Sequence, residues 1–501
     1  FVTGPSNSAV RGAVPWSFVM SMGQIGLSSL TLFIMAALVG PAAFGTIGLA
    51  LVLIRFLQLL LLQGLGAAIV QREDLHREHL DAAFWMVMTL SMALVLVGAA
   101  IAPWWAAINN EPVLRNVVWA MLPLLPIRGL IVTQDAILRR DMRFKALAFR
   151  TNLGVVLGGV IGVVAAVAGA GVWALVIQQL VMATVELIVL WSASDFRPSR
   201  RVSVSHGRDL VGFSTGTLAS SIGFFVQRRS DEIAMGIFFG TRALGLYRLA
   251  HRVMTLVVDM VARALQPVAL SELSRLQDQP VRFRRRVIAT ISLAVTLTYP
   301  AMGILAASAP ALTRVLGPEW EAAAVPLQLL SIEGLAIATT FLIGPILQAL
   351  GRPHHEAALV WITAVVSAVC YFGAGYLLRD AQTDTQVLGL TLVNVVLFAF
   401  LTAAVNITII CRVTGTRFSR LAHHLIAPAA AAAGALVAGT LVSEALFPRV
   451  AAFPQLVLTG ATATVTAALI LLAVSSKVRK AVGELRARQP QQAAETMLEL
   501  S

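Results

Sequence analysis

The residues with most chemistry to offer in this chain are charged side chains embedded in long apolar stretches. The stretch at 210–239 carries Arg228, Arg229, Asp231 and Glu232, and that at 242–267 carries Arg248, Arg252, Asp259 and Arg263. Two further stretches hold Arg55 and Arg128, with Asp135 and Glu186 nearer the ends of theirs. Ionisable groups are costly in hydrocarbon, so they are expected to face a cavity or a partner. A guanidinium in such a place can grip an oxyanion bidentately. A carboxylate there can take up a proton or a small cation. Arg248, Arg252, Asp259 and Arg263 follow at steps of four, seven and four, which places them on one helical face. Asp231 precedes Gly240 by nine residues. At 1.5 Å per residue that is about 13 Å, near the middle of a hydrocarbon core about 30 Å thick.

The elements that position these groups follow from composition. The 501 residues are 58% hydrophobic and 13% charged, with a mean hydropathy of +0.81. Soluble domains carry about 25% charged residues, so this chain has too little polar surface for a water-soluble exterior. A span needs about 20 apolar residues. Runs of that kind lie at 13–39, 43–68, 82–102, 116–137, 146–168, 172–192, 210–239, 242–267, 287–307, 323–350, 356–378, 386–410, 422–446 and 455–476. The first is too long for a removed signal and lacks a small-residue cleavage pattern. Starting inside, the inner segments carry 26 Lys and Arg and the outer loops five. That bias orients the chain with both termini cytoplasmic. It also assigns the net charge of +13 to a membrane surface and not to nucleic acid.

The segment LVGPAAFGTIGLALVL from Leu38 overlays IFFGTRALGLYRLAHRV from Ile237 at an offset of 200. Gly40 meets Gly240 and Gly45 meets Gly245. Glycine suits a tight turn of close backbone approach. Repeated halves in one orientation are a transporter architecture. The fold expected is all-α and integral to the membrane: about 14 transmembrane helices, in two pseudo-symmetric six-helix lobes plus a C-terminal helix pair. The divisions are 1–209, 210–411, 412–476 and a cytoplasmic tail at 477–501. Gly154, Gly158 and Gly162 predict a close helix contact, and Pro123, Pro126 and Pro300 predict kinks.

The stretches LVGPAAFGTIGLA, GLGAAIVQREDLHREHLDAAFW, ILRRDMRFKALAF and GAGVWALVIQQLV resemble the Wzx-type polysaccharide transporter flippases of the multidrug/oligosaccharidyl-lipid/polysaccharide (MOP) exporter superfamily. The similarity is dense over 13–192 and weaker to about 410; the last two spans carry no signature. The resemblance implies a two-lobed fold and alternating access. It implies export of an undecaprenyl-diphosphate-linked oligosaccharide across the bacterial inner membrane, for O-antigen, capsule or exopolysaccharide assembly. The partners expected are this lipid-linked oligosaccharide, membrane lipids, a coupling H⁺ or Na⁺ and a polysaccharide polymerase or export machinery. No cofactor and no metal are expected.

Under the 200-residue offset Arg55 overlays Thr255, on the face of Arg248, Arg252 and Asp259. Arg55, Arg128, Arg228, Arg248 and Arg252 are therefore the candidate substrate-binding residues for a diphosphate headgroup. Asp231, Glu232 and Asp259 are the candidates for ion coupling. The competing reading is internal pairing, of Arg228 with Asp231 and Glu232 and of Asp259 with Arg263, at helical spacings of three and four. His354, His355 and Glu356 read as a solvated turn. Rival functions are a multidrug-type exporter, which calls for carboxylates and aromatics toward cationic drugs, and a membrane polymerase or glycosyltransferase. The short outer loops and the lack of a DxD motif speak against an enzyme, and the buried charge against a mere scaffold. No GxxxxGK[ST] loop is present, which excludes an ATP-driven exporter in this chain.

Overall fold

The computed structural model describes residues 7–62, 76–141, 143–199, 214–447, 450–475 and 478–479. Expectations for Arg72, Arg200, Arg201, Arg208 and nearly all of the tail at 477–501 lie outside these residues. In hydrocarbon every backbone N–H and C=O must be paired within the chain, so apolar runs of this length become helices. Among the described residues there are helices and no strand. In chain order these are α1 (Asn7–Leu62), α2 (Arg77–Ile108), α3 (Pro112–Met121), α4 (Leu124–Arg140), α5 (Phe144–Val167), α6 (Val172–Ala193), α7 (Ser214–Arg275) and α8 (Pro280–Leu316). After a 3-10 turn, Pro318–Ala323, come α9 (Ala324–Thr340), α10 (Ile343–Ala349), α11 (Pro353–Leu378) and α12 (Thr383–Val395). A π segment, Val396–Thr402, leads into α13 (Ala403–Thr414), α14 (Phe418–Leu446) and α15 (Ala452–Val474).

Twelve helical segments of the described residues are long and apolar enough to cross a membrane, where about fourteen are expected. The difference lies in α1 and α7. The first takes in the predicted 13–39 and the described part of 43–68. The second takes in the described part of 210–239 and all of 242–267. Each is two rods joined at one non-helical glycine, Gly40 (φ 78°, ψ 167°) and Gly240 (φ 80°, ψ −178°). Both lie in the positive-φ region that glycine enters without Cβ strain. The predicted kinks divide as well. The run at 116–137 breaks between α3 and α4, where Pro123 caps α4, whereas α8 runs on through Pro300.

The chain packs as two units, residues 1–245 and 246–501. Within the first, the repeat is written into the packing. A Cβ added at Gly45 would land on the Thr241 carbonyl, and one at Gly245 on the Pro41 carbonyl. The two contacts exchange under the same offset of 200, so they are reciprocal. Thr241 also donates its hydroxyl to Glu111 at 3.2 Å. The glycine face of α5 meets α6: a Cβ at Gly158 would stand 2.9 Å from the Gln178 carbonyl and one at Gly154 3.1 Å from that of Met182.

The described end of the motif at 71–85 fastens the strand of chain leaving α6. Buried Asp81 accepts the Ser199 backbone N–H at 2.8 Å and its hydroxyl at 2.6 Å. Trp85 donates its indole N–H to the Ser199 carbonyl at 2.7 Å, and Gln134 its amide to the Phe196 carbonyl at 3.1 Å. The segment 194–199 is thus tied to α2 and α4.

In the second unit, α8 is the central rod. Its Phe283, Val287, Ile291, Val295 and Tyr299 pack with Phe341, Leu342, Ile346 and Leu421. The C-terminal pair is bound to it through small residues. A Cβ at Gly303 would meet the Ala432 backbone, and Ala307 of α8 joins Ala431, Ala435, Ala463 and Ala467 in one cluster.

Two stability measurements check these contacts. Alanine ordinarily stabilises a helix over glycine by about 0.5–1 kcal/mol. Gly45→Ala and Gly245→Ala should instead each lower the melting temperature of the purified protein, because overpacking costs about 1–3 kcal/mol. Asp81→Ala removes both bonds to Ser199 and should cost about 2–3 kcal/mol, and Ser199→Ala about half of that. Thermal unfolding in detergent reads both.

Candidate functional site

In the first unit the second rod of α1 lies along the first rod of α7. Leu49 packs where a Cβ at Gly236 would stand, and the rings of Phe56 and Phe225 are 5.2 Å apart. The stretches bearing Arg55 and Arg228 are thereby brought together, since Arg55 adjoins Phe56 and Arg228 follows Phe225 by three residues. Both arginine side chains are exposed, uncovered by protein within an apolar helix. Beyond them Ser230, Asp231 and Glu232 are buried, at 3%, 5% and 4% exposure. The pairing within the helix is made by Arg229, which bonds Glu232, and not by Arg228. Two neighbours of one charge are so divided by helical rotation: one neutralises an acid and the other faces outward.

Arg128 has a different setting. Its guanidinium donates to Glu186 at 2.6 Å, and Glu186 is buried. Two turns on, Asp135 takes Arg139 at 2.6 Å and Arg150 at 2.9 Å. Three helices, α4, α5 and α6, are stitched by this ladder. Arg128 is therefore held by a carboxylate of its own unit.

In the second unit Arg248 and Asp259 are half-buried and Arg252 is exposed. Tyr247 and His251 stack beside them with ring centroids 5.8 Å apart, and Tyr247 is fully buried. The neighbouring stripe of the same rod carries the arginines. The side chain of Arg263 lies outside the described ones.

One buried polar group escaped the sequence reading. Glu333 of α9 is 4% exposed and accepts the Asn394 amide at 2.5 Å, while Tyr371 donates its hydroxyl to Asn394. Three helices, α9, α11 and α12, meet there. The signal for Glu333 was present, a lone acid in an apolar run; its partners sit 38 and 61 residues away and leave no mark in spacing. Elsewhere, His354 and His355 are exposed with their rings 4.2 Å apart, and Glu356 accepts the Gln348 amide at 3.0 Å. Among the described residues no three His, Cys, Asp or Glu gather to hold a metal. Cys370 and Cys411 are free thiols.

Comparison with known proteins agrees with this architecture. A family model described as polysaccharide biosynthesis protein matches residues 34–325, more than half of the chain. The succinoglycan biosynthesis transport protein ExoT of Rhizobium meliloti (strain 1021) is 27% identical over 388 residues, 76% of this chain and 77% of that one. Of solved structures, the lipid II flippase MurJ in an inward closed conformation superposes with a TM-score of 0.73 at 10% identity, over 92% of this chain and 98% of its own. An inward-facing multidrug resistance MATE family transporter of the MOP superfamily superposes with a TM-score of 0.60 at 16% identity, over 80% and 99%. The matched region covers more than half of the chain, and the chain belongs to the polysaccharide biosynthesis protein family.

Proposed function

We propose that this protein is a flippase that carries an undecaprenyl-diphosphate-linked oligosaccharide across the bacterial cytoplasmic membrane, toward exopolysaccharide, O-antigen or capsule assembly. The observation that carries the reading is the exposure of Arg55, Arg228 and Arg252 within membrane-length helices. An exposed guanidinium at membrane depth is open to an anionic ligand. Arg228 and Arg252 each stand twelve residues from Gly240, about 18 Å along their rods. A diphosphate supplies the concentrated negative charge that guanidinium groups bind bidentately. Relatives named for succinoglycan transport and lipid II flipping support a cargo of this kind.

Of the five candidate arginines, Arg55, Arg228, Arg248 and Arg252 take the role of binding the headgroup. Arg128, paired with Glu186, holds its lobe together instead. Asp231, Glu232 and Asp259 are the carboxylates for a coupling proton or Na⁺, Asp231 and Glu232 being buried and Glu232 bonded by Arg229. Both termini are cytoplasmic in this reading, and a polymerase or export complex takes the cargo on the far side. A multidrug exporter of the same superfamily is the second reading, favoured by the MATE likeness of the fold. Exposed arginines oppose it, because they repel cationic drugs.

In a deletion strain, lipid-linked repeat units should accumulate on the inner leaflet, and Arg55→Gln and Arg252→Gln should fail to relieve that accumulation at normal protein levels. Wild-type export by both variants would sink the reading. Arg128→Gln should lower protein abundance, since it leaves the buried Glu186 carboxylate without this cation. Arg128→Gln combined with Glu186→Gln should recover abundance and retain export.

A further inference from the structure

A cleft of about 580 Å³ opens between the first two turns of α8 and of α14, within the second unit. That volume lies within the range of about 300–1,000 Å³ common to ligand sites. From α8 it is lined by Val281, Arg284, Arg285 and Ile288, spaced three, four and seven residues on, one face of a helix. From α14 it receives Arg420, His423 and His424, beside Ser419. No carboxylate is among the lining side chains. Of the other basic residues at this end of α8, Arg282 bonds the Gln279 side chain at 2.9 Å and Arg286 pairs with Glu272. Rotation along α8 therefore separates two arginines that fix the preceding turn from two that enter the cleft.

The arrangement runs against helix stability. The N-terminal end of a helix carries partial positive charge, and acids are favoured there. Neither α8 nor α14 has an acid in its first turn. Three guanidinium groups gather instead beside two positive helix ends. An anion in the cleft relieves both repulsions. The rim tells what bears that anion. Val281, which lines the cleft together with Ile288, is 67% exposed, and Phe418, next in sequence to the lining Ser419, is 60% exposed, so apolar side chains adjoin the basic floor. A soluble phosphate has no use for such side chains, whereas an amphiphile requires them. The first two turns of a span also lie at headgroup depth, where basic pockets between helices take lipid phosphates.

We propose that this cleft binds the phosphate headgroup of an acidic phospholipid of the inner leaflet. The occupant is a resident of the membrane and not the transported cargo. The site gives the C-terminal helix pair a task, since α14 supplies one wall. The assignment uses the membrane orientation proposed above and is independent of what the protein carries.

The test uses the full-length protein in phosphatidylcholine nanodiscs doped with cardiolipin, with co-purifying lipid counted by mass spectrometry. Wild type should enrich cardiolipin over its bulk fraction. Arg284→Gln and Arg420→Gln should each reduce that enrichment about fivefold, and both together more than tenfold, as expected from the pull of single basic residues on acidic lipid. Arg284→Lys should keep most of it. Arg282→Gln with Arg417→Gln removes equal charge outside the cleft and should leave enrichment unchanged. An equal loss from that pair overturns the proposal, for then diffuse surface charge is responsible. Displacement by soluble pyrophosphate, or retention of a polyprenyl diphosphate without cardiolipin, overturns it too. Melting temperatures within a few degrees of wild type confirm that the single variants are folded, and unchanged enrichment in such folded variants also refutes the site.

Discussion

Hydrocarbon offers no partner to a polar group, and the rest of this protein follows from that. Backbone groups are paired by making every described span a helix. Side-chain charge is handled in two ways. Arg128 with Glu186, Asp135 with Arg139 and Arg150, and Arg229 with Glu232 close on one another within their unit. Glu333, Asn394 and Tyr371 do the same with hydrogen bonds. Pairs of this kind contribute little net stability over an apolar substitute, and those of Arg128 with Glu186 and Arg150 with Asp135 join different helices. Arg55, Arg228 and Arg252 are exposed. The division between covered and uncovered charge is what separates scaffold from candidate transport surface.

The second constraint is distance between backbones. Gly40 and Gly240 let two rods change direction at a single residue, with no loop to solvate. Gly45 and Gly245 then let the turn regions meet carbonyl against Cα. Without a hydrophobic force between helices in lipid, closeness of this kind is a main source of association. The α5–α6 contact and the seating of α14 on α8 use the same means, through Gly158 and Gly303.

The candidate site was legible in kind and not in detail. Ionisable residues within apolar runs pointed to Arg55, Arg228, Asp231 and Arg252. Sequence spacing offered Arg228 as the partner of Glu232, yet the helix presents Arg229 to it. Arg128 looked like the other arginines until Glu186 was found 2.6 Å away, from a helix 58 residues on. The stretch GLGAAIVQREDLHREHLDAAFW is one of the four that carry the family resemblance, but its described end ties down segment 194–199, a task no local pattern foretells.

Hydropathy and charge are additive along a chain, and for that reason the sequence by itself determined the spans, the all-helical class, the 200-residue repeat and the stretches where charge lies in apolar surroundings. It also marked the two glycine turns, because positive φ leaves a residue-type signature. Pairing is not additive. Each helical residue turns the next by about 100°, so whether an arginine meets an acid, a cleft or nothing depends on a rotation and on lateral neighbours set by packing. Only the tertiary structure could therefore decide that α1 and α7 are each one broken helix, that Arg128 is covered and Arg228 is not, and that three arginines of two distant helices line one cleft.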